Sequence, residues 1–150
     1  MICILLKKDK NFLDLYFVVL LGYLNILDFK TLTLCVGLNL FIGCKYKWGG
    51  KTFNGIDCSA LIQIFYQFNN KYFPRDTKDQ IKYSKKSLKR KNFKKGDLIF
   101  WKGHVAACIN SKKLVHAYGP EKRVIIMPIK KAIYRIEKTT TLKVKKISRI

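Results

Sequence analysis

Residues 97–117 read DLIFWKGHVAACINSKKLVHA. Short runs rich in β-branched and aromatic residues are broken at Lys102-Gly103 and Asn110-Ser111, the turn chemistry that separates successive antiparallel strands. Working toward the C-terminus, the pattern predicts strands at Asp97–Trp101, His104–Ile109, Lys113–Ala117 and Arg123–Pro128, with Gly119-Pro120 as a further turn. A small helix over Lys130–Ile136 follows. Leu142–Ile150 then alternates apolar and basic residues, as an edge strand does, and its lysines protect that edge. Toward the N-terminus the texture changes. Cys58–Asn69 (CSALIQIFYQFN) has apolar residues at 60, 61, 64, 65 and 68, the spacing of a helix with one buried face. Asp57 stands where its N-cap belongs. Pro74–Ser84 reads as loop and then a short polar helix, and Thr31–Ile42 as a buried helix ending near Gly43. Helices first and strands second give an α+β fold.

Cys58 falls at the first turn of its helix, where free N–H groups and the helix dipole favour an anion. A thiolate there is expected to have a lowered pKa. The chain has two histidines, one near the start of a predicted strand (His104) and one near the end of the next (His116). An antiparallel hairpin brings such positions together. The three residues make a relay: Cys58 attacks, His104 takes and returns the proton, His116 orients His104. A small buried cysteine and two packing histidines are the plainer reading of each residue alone. Their joint placement favours the relay.

The 150 residues are 49% hydrophobic and 13% aromatic, enough for one domain with a packed core. A formal net charge of +22 comes from 31 Lys and Arg against 9 Asp and Glu. It favours anionic partners, although a lysine-rich base composition produces the same excess. With no nucleic-acid-binding pattern beside it, no nucleic acid is expected. Five cysteines at irregular spacing (3, 35, 44, 58, 108) give neither a complete disulfide framework nor a zinc pattern; no metal or cofactor is expected. Residues 1–30 form an apolar extension. Within it, 15–27 (LYFVVLLGYLNIL) follows Lys7, Lys8 and Lys10; it reads as an export signal or membrane anchor, or as a core helix. Residues 31–150 read as the catalytic domain. The positive charge disfavours close self-association, so a monomer is expected.

Six blocks then occur in order: Tyr46-Lys47-Trp48-Gly49-Gly50; Gly55-Ile56-Asp57-Cys58-Ser59; Pro74-Arg75-Asp76-Thr77 with Gln80; Gly96-Asp97-Leu98-Ile99-Phe100-Trp101; Gly103-His104-Val105; and Val115-His116-Ala117. Together they resemble the NlpC family of cell-wall cysteine peptidases, over about residues 40–150. The resemblance implies a papain-like fold, with the nucleophile's helix packed on an antiparallel sheet. It implies hydrolysis of peptidoglycan stem peptides at a D-γ-glutamyl-diamino acid bond, in the cell envelope or periplasm, or in the cytoplasm if the chain stays there. It makes Cys58 the nucleophile, His104 the base and His116 the orienting residue. Tyr46 becomes the hydroxyl donor to the oxyanion, and Asp57 and Ser59 the groups that hold the free amine of a terminal L-alanine. Helix capping is a concurrent role for Asp57 and Ser59. Asp97, Arg75 and Gln80 read as structural or rim residues. Ala106-Ala107-Cys108 departs from the family's pattern, and alternation makes Cys108 a buried core thiol. Two other readings keep the same residues: a thiol-dependent amidase or acyltransferase, and a non-catalytic binder of cell wall or another polyanion.

Overall fold

The computed structural model describes residues 38–84, 87 and 92–149. The apolar run at 15–27 and most of the helix expected over Thr31–Ile42 lie outside them. A short hairpin, β1 (Lys51–Thr52) and β2 (Gly55–Ile56), precedes helix α1 (Cys58–Phe68) and helix α2 (Thr77–Tyr83). Strands β3 (Asp97–Trp101), β4 (His104–Cys108), β5 (Lys113–Tyr118) and β6 (Arg123–Pro128) follow, then helix α3 (Ile129–Thr140) and strand β7 (Lys146–Arg149). The five long strands form one antiparallel sheet in the order β6-β5-β4-β3-β7. This is the expected α+β arrangement.

Helices cover both faces of that sheet. On one face, Ala60, Leu61, Ile62 and Phe65 of α1 pack with Leu98, Phe100, Val105, Ala107, Val115 and Ala117. On the other, Ile129, Ala132 and Ile136 of α3 pack with Ile99, Trp101, Ala106, Cys108, Leu114 and Tyr118. Strand β3 is therefore buried at every position, DLIFW, which is why its sequence is a continuous apolar run behind one aspartate. Each large side chain so enclosed contributes about 2–3 kcal/mol relative to exposure. Cys108 is buried, as alternation predicts.

Two elements differ in extent from the sequence reading. Helix α3 runs to Thr140 rather than Ile136. The Thr139 and Thr140 hydroxyls bond back to the Arg135 and Ile136 carbonyls, carrying the helix another turn before Thr141 ends it at φ +58°. Strand β7 begins at Lys146, where pairing with Phe100 starts. Residues 142–145 instead lay Leu142 and Val144 against the second core cluster. Lys146 does more than guard an edge. Its Nζ donates to the carbonyl of Ile81 at 2.8 Å and to that of Ser84, so a cation neutralises the C-terminal end of α2.

Asp97, read as structural, is fully buried at the entry to β3. Its Oδ2 accepts from the Lys94 amide at 2.8 Å and its Oδ1 faces the Arg149 guanidinium at 3.3 Å. That clamps the start of one strand to the end of its neighbour.

Candidate active site

Asp57 has extended backbone (φ −100°, ψ 175°) and caps α1, its Oδ1 accepting from the Ala60 amide at 2.8 Å. The same carboxylate accepts four more hydrogen bonds. The Ser59 hydroxyl (3.1 Å) and Arg75 Nη1 (2.9 Å) reach Oδ1; the Gly49 amide (3.0 Å) and Arg75 Nη2 (2.6 Å) reach Oδ2. A carboxylate offers about four lone-pair positions, so Asp57 is saturated. Burial alone would raise its pKa. The hydrogen bonds from Arg75, the Ala60 amide and Ser59, with the Arg75 charge, outweigh burial and hold it below the usual carboxylate range. Gly50 fits beneath because it has no side chain. A Cβ there would stand 2.3 Å from the Gly55 carbonyl oxygen.

Cys58 follows at the first position of α1 and is buried. Its Sγ lies 3.9 Å from the Gly103 carbonyl and 4.0 Å from the Thr77 hydroxyl. Gly103 adopts φ +76°, in the tight turn between β3 and β4. That turn delivers its carbonyl to the sulfur and His104 immediately after it. The expectation of a lowered thiol pKa meets an opposing force. Burial pushes the Cys58 thiol up, and the Asp57 charge adds to it; the Val105 and Ser59 amides and the Thr77 hydroxyl only partly offset this. A helix N-terminus stabilises an anion, but exclusion of water costs more here. Cys58 rests as a thiol, so attack by its sulfur would call for a base.

His104 Nε2 and His116 Nδ1 are 2.9 Å apart, the neighbour relation expected of a hairpin. Burial pulls the conjugate acid of His104 down to about 4. Burial, then the neighbouring His104 and the Arg135 charge, pull that of His116 down to about 3. Both rings are neutral at neutral pH, so a single proton lies between them. When His104 Nε2–H donates to His116, His104 Nδ1 is left as a proton acceptor. The remaining proton of His116 is then on Nε2, a buried atom without a hydrogen-bond partner among the described residues. The His116 ring stacks on Tyr118 at 4.7 Å and 11°, which fixes its plane.

Tyr46 is half-buried. Burial first, then the charges of Cys58 and Asp57, raise its phenol pKa, so it keeps its proton and is a donor. Trp48, Gly49, Asp57, Cys58, Ser59, Arg75, Asp76, Thr77, Lys78 and Gly103 line a cleft of about 340 Å³. Trp48 is 80% exposed at its mouth, a cleft residue rather than a core aromatic. The arrangement supplies a buried thiol, a neutral imidazole held by a second imidazole, and hydroxyl and amide donors around an open cleft. Those are the parts of acyl transfer to sulfur.

Of the sequence-predicted residues, Cys58, Asp57 and Ser59 line this cleft, His104 and His116 are bonded to each other, and Tyr46 senses the charge at Cys58. The sequence reading left Arg75 and Gln80 as structural or rim residues and gave Thr77 no role. Arg75 holds the Asp57 carboxylate and also donates to the Ser59 hydroxyl at 2.9 Å. Gln80 Nε2 donates to the Ser59 and Pro74 carbonyls at 2.8 and 2.9 Å. The signal was the block Pro74-Arg75-Asp76-Thr77 with Gln80: a guanidinium, a hydroxyl and an amide spaced along the entry to one helix.

The profile of the NlpC/P60 family matches residues 43–143. Dipeptidyl-peptidase 6 of Lysinibacillus sphaericus is 35% identical over 104 residues, 68% of this chain and 38% of that protein. A gamma-D-glutamyl-L-lysine dipeptidyl-peptidase of Bacillus cereus is 32% identical over 98 residues, 60% of this chain and 29% of that protein. The crystal structure of an NlpC/P60 family protein from Bacillus cereus superimposes with a TM-score of 0.61 at 30% identity, covering 75% of this chain and 37% of that one. The chain thus spans well under half the length of these relatives.

Proposed function

The chain belongs to the NlpC/P60 family, and from that premise we propose that it is a cysteine peptidase of peptidoglycan stem peptides, cleaving after a γ-D-glutamyl residue, with residues 31–150 as its catalytic domain. The observation that carries this reading is the His104–His116 contact at 2.9 Å, which begins one residue after the Gly103 carbonyl that lies 3.9 Å from the buried, cleft-lining Cys58 thiol. The named relatives, dipeptidyl-peptidases among them, support the substrate class.

In the proposed mechanism, His104 takes the Cys58 proton as the sulfur attacks the amide carbonyl. Negative charge moves to the carbonyl oxygen, where the Tyr46 hydroxyl and the Cys58 backbone N–H meet it. Collapse breaks the C–N bond, and His104 returns its proton to the leaving amine. A water, deprotonated by His104, then hydrolyses the thioester and restores the thiol. His116 keeps His104 in the accepting tautomer throughout. Asp57 and Ser59 take the free amine of the terminal L-alanine. Because Asp57 is already saturated, the ammonium must displace one of its present donors rather than fill a vacant carboxylate. Such a substrate places the site of action in the cell envelope or periplasm.

The test is cleavage of L-alanyl-γ-D-glutamyl-diaminopimelate, followed by mass spectrometry, for wild type beside Cys58→Ala. Release of diaminopimelate by wild type and none by the variant is expected. Equal release by both would falsify the assignment of Cys58. Acyl transfer to an added amine in preference to water would move the reading to an acyltransferase on the same scaffold.

A further inference from the structure

The Pro74–Gln80 segment embraces the start of α1 at three points. Arg75 grips Asp57, Gln80 bonds the Ser59 carbonyl, and Thr77 places its hydroxyl on the nucleophile. Thr77 is buried, and Cys58 Sγ at 4.0 Å is the hydrogen-bond partner found for its hydroxyl among the described residues. A further group close to the sulfur is the Gly103 carbonyl, 3.9 Å away. A carbonyl only accepts. It can accept a hydrogen bond from a thiol, and it repels a thiolate. Once the S–H proton has gone to a His104 nitrogen, leaving its electron pair on sulfur, the charge needs donors. The Val105 and Ser59 amides are fixed in the backbone. A hydroxyl rotates, so Thr77 alone among these can turn its proton toward the sulfur as the charge appears.

We infer that Thr77 is a catalytic residue whose hydroxyl donates a hydrogen bond to the Cys58 sulfur when that sulfur is a thiolate, both before attack and when the thiolate leaves the acyl-enzyme. Thr77 keeps its own proton at every stage. The inference rests on the reading of Cys58 as the nucleophile and is independent of the substrate. The titratable and charged groups that act on the sulfur or line its cleft are Asp57 at the head of α1, Tyr46 from the preceding loop, and Arg75, Asp76 and Lys78 from the α2 side; His104 of β4 follows Gly103, whose carbonyl is 3.9 Å from the sulfur. All of them are retained when Thr77 alone is changed.

The experiment is alkylation of the full chain by iodoacetamide from pH 6 to 12, a window that spans a thiol whose midpoint is raised by burial, scored by mass spectrometry on the Cys58 peptide so that the other four cysteines do not contribute. Thr77→Val is expected to move the midpoint of the alkylation profile up by about one pH unit and to slow alkylation at neutral pH about tenfold. Thr77→Ser, which keeps the hydroxyl, is expected to stay within about twofold of wild type. An unmoved midpoint in Thr77→Val overturns the inference. So does a Thr77→Ser profile displaced as far as that of Thr77→Val, because the lost methyl would then be the cause. If Thr77→Val fails to fold, Thr77→Ala is judged by the same two criteria. Muropeptide cleavage does not enter this measurement, so a failure of the peptidase reading and a failure of this one are told apart.

Discussion

A buried carboxylate held on five sides, as Asp57 is, turns its neighbours into obligations. Arg75 supplies two of its five hydrogen bonds and its countercharge. Arg75→Ala leaves a buried anion uncompensated, and a loss of about 2–4 kcal/mol is expected in urea denaturation. Arg75→Lys restores the charge but not the planar fork, and only part of the loss is expected back. Loss of under about 0.5 kcal/mol in Arg75→Ala would mean that the amides and Ser59 hold Asp57 unaided. At this scale the sequence was informative about chemistry and silent about partnership. Cys58, His104 and His116 stood out because one of the five cysteines opens a helix and the chain's two histidines fall in adjacent strands. Arg75 was invisible as a partner because 31 Lys and Arg leave any one cation anonymous until its distance to an anion is known. The thiol's pKa direction was misjudged for a similar reason. A helix start is legible in sequence; exclusion of water from it is not.

Among the elements, α2 is the one whose purpose exceeds its length. Seven residues cannot form a stable helix alone. It is held by Gln80 at its middle and by Lys146 at its C-terminal carbonyls. Gln80→Ala removes two buried hydrogen bonds, and a destabilisation of about 2 kcal/mol with a fall in kcat/KM is expected, since the helix that presents Thr77 loses its anchor. Unchanged kinetics with reduced stability would confine Gln80 to a structural part. Boundaries at this scale were legible where periodicity and punctuation agreed: α1, β3 and β6 fall within a residue of their reading. The hairpin β1–β2 was missed because two-residue strands carry no periodicity. The end of α3 was missed because threonines read as helix-weak, whereas here their hydroxyls bond back into the helix.

For the whole molecule, the two neutral histidines set a pH dependence. Their folded pKa values, about 4 and about 3, lie below the ordinary 6.5. The unfolded chain therefore binds protons near pH 6.5 that the folded chain refuses. Stability is complete above that value and falls as pH drops from about 6.5 toward 4, by up to about 1.4 kcal/mol per pH unit for each ring. A melting temperature clearly lower at pH 4.5 than at pH 7 is expected, and His116→Gln should flatten the difference. Equal melting temperatures at the two values would show that the rings are already protonated or open to water. The overall α+β order was readable because helices and strands segregate along the chain. That both faces of the sheet are covered was readable only in β3, whose unbroken apolar run leaves no face for water.

The cleft mouth has one more consequence, for anyone who would retarget it. Trp48 stands 80% exposed on a loop whose next residues are close to unalterable: Gly49 holds φ +72° while its amide meets Asp57, and Gly50 has a carbonyl where a methyl would go. The frame is fixed and the tip is free. Evolution or an engineer can vary the indole as one varies the bit of a tool while leaving the handle alone, and diversity at the cleft mouth can accumulate at position 48 without touching Asp57 or Cys58.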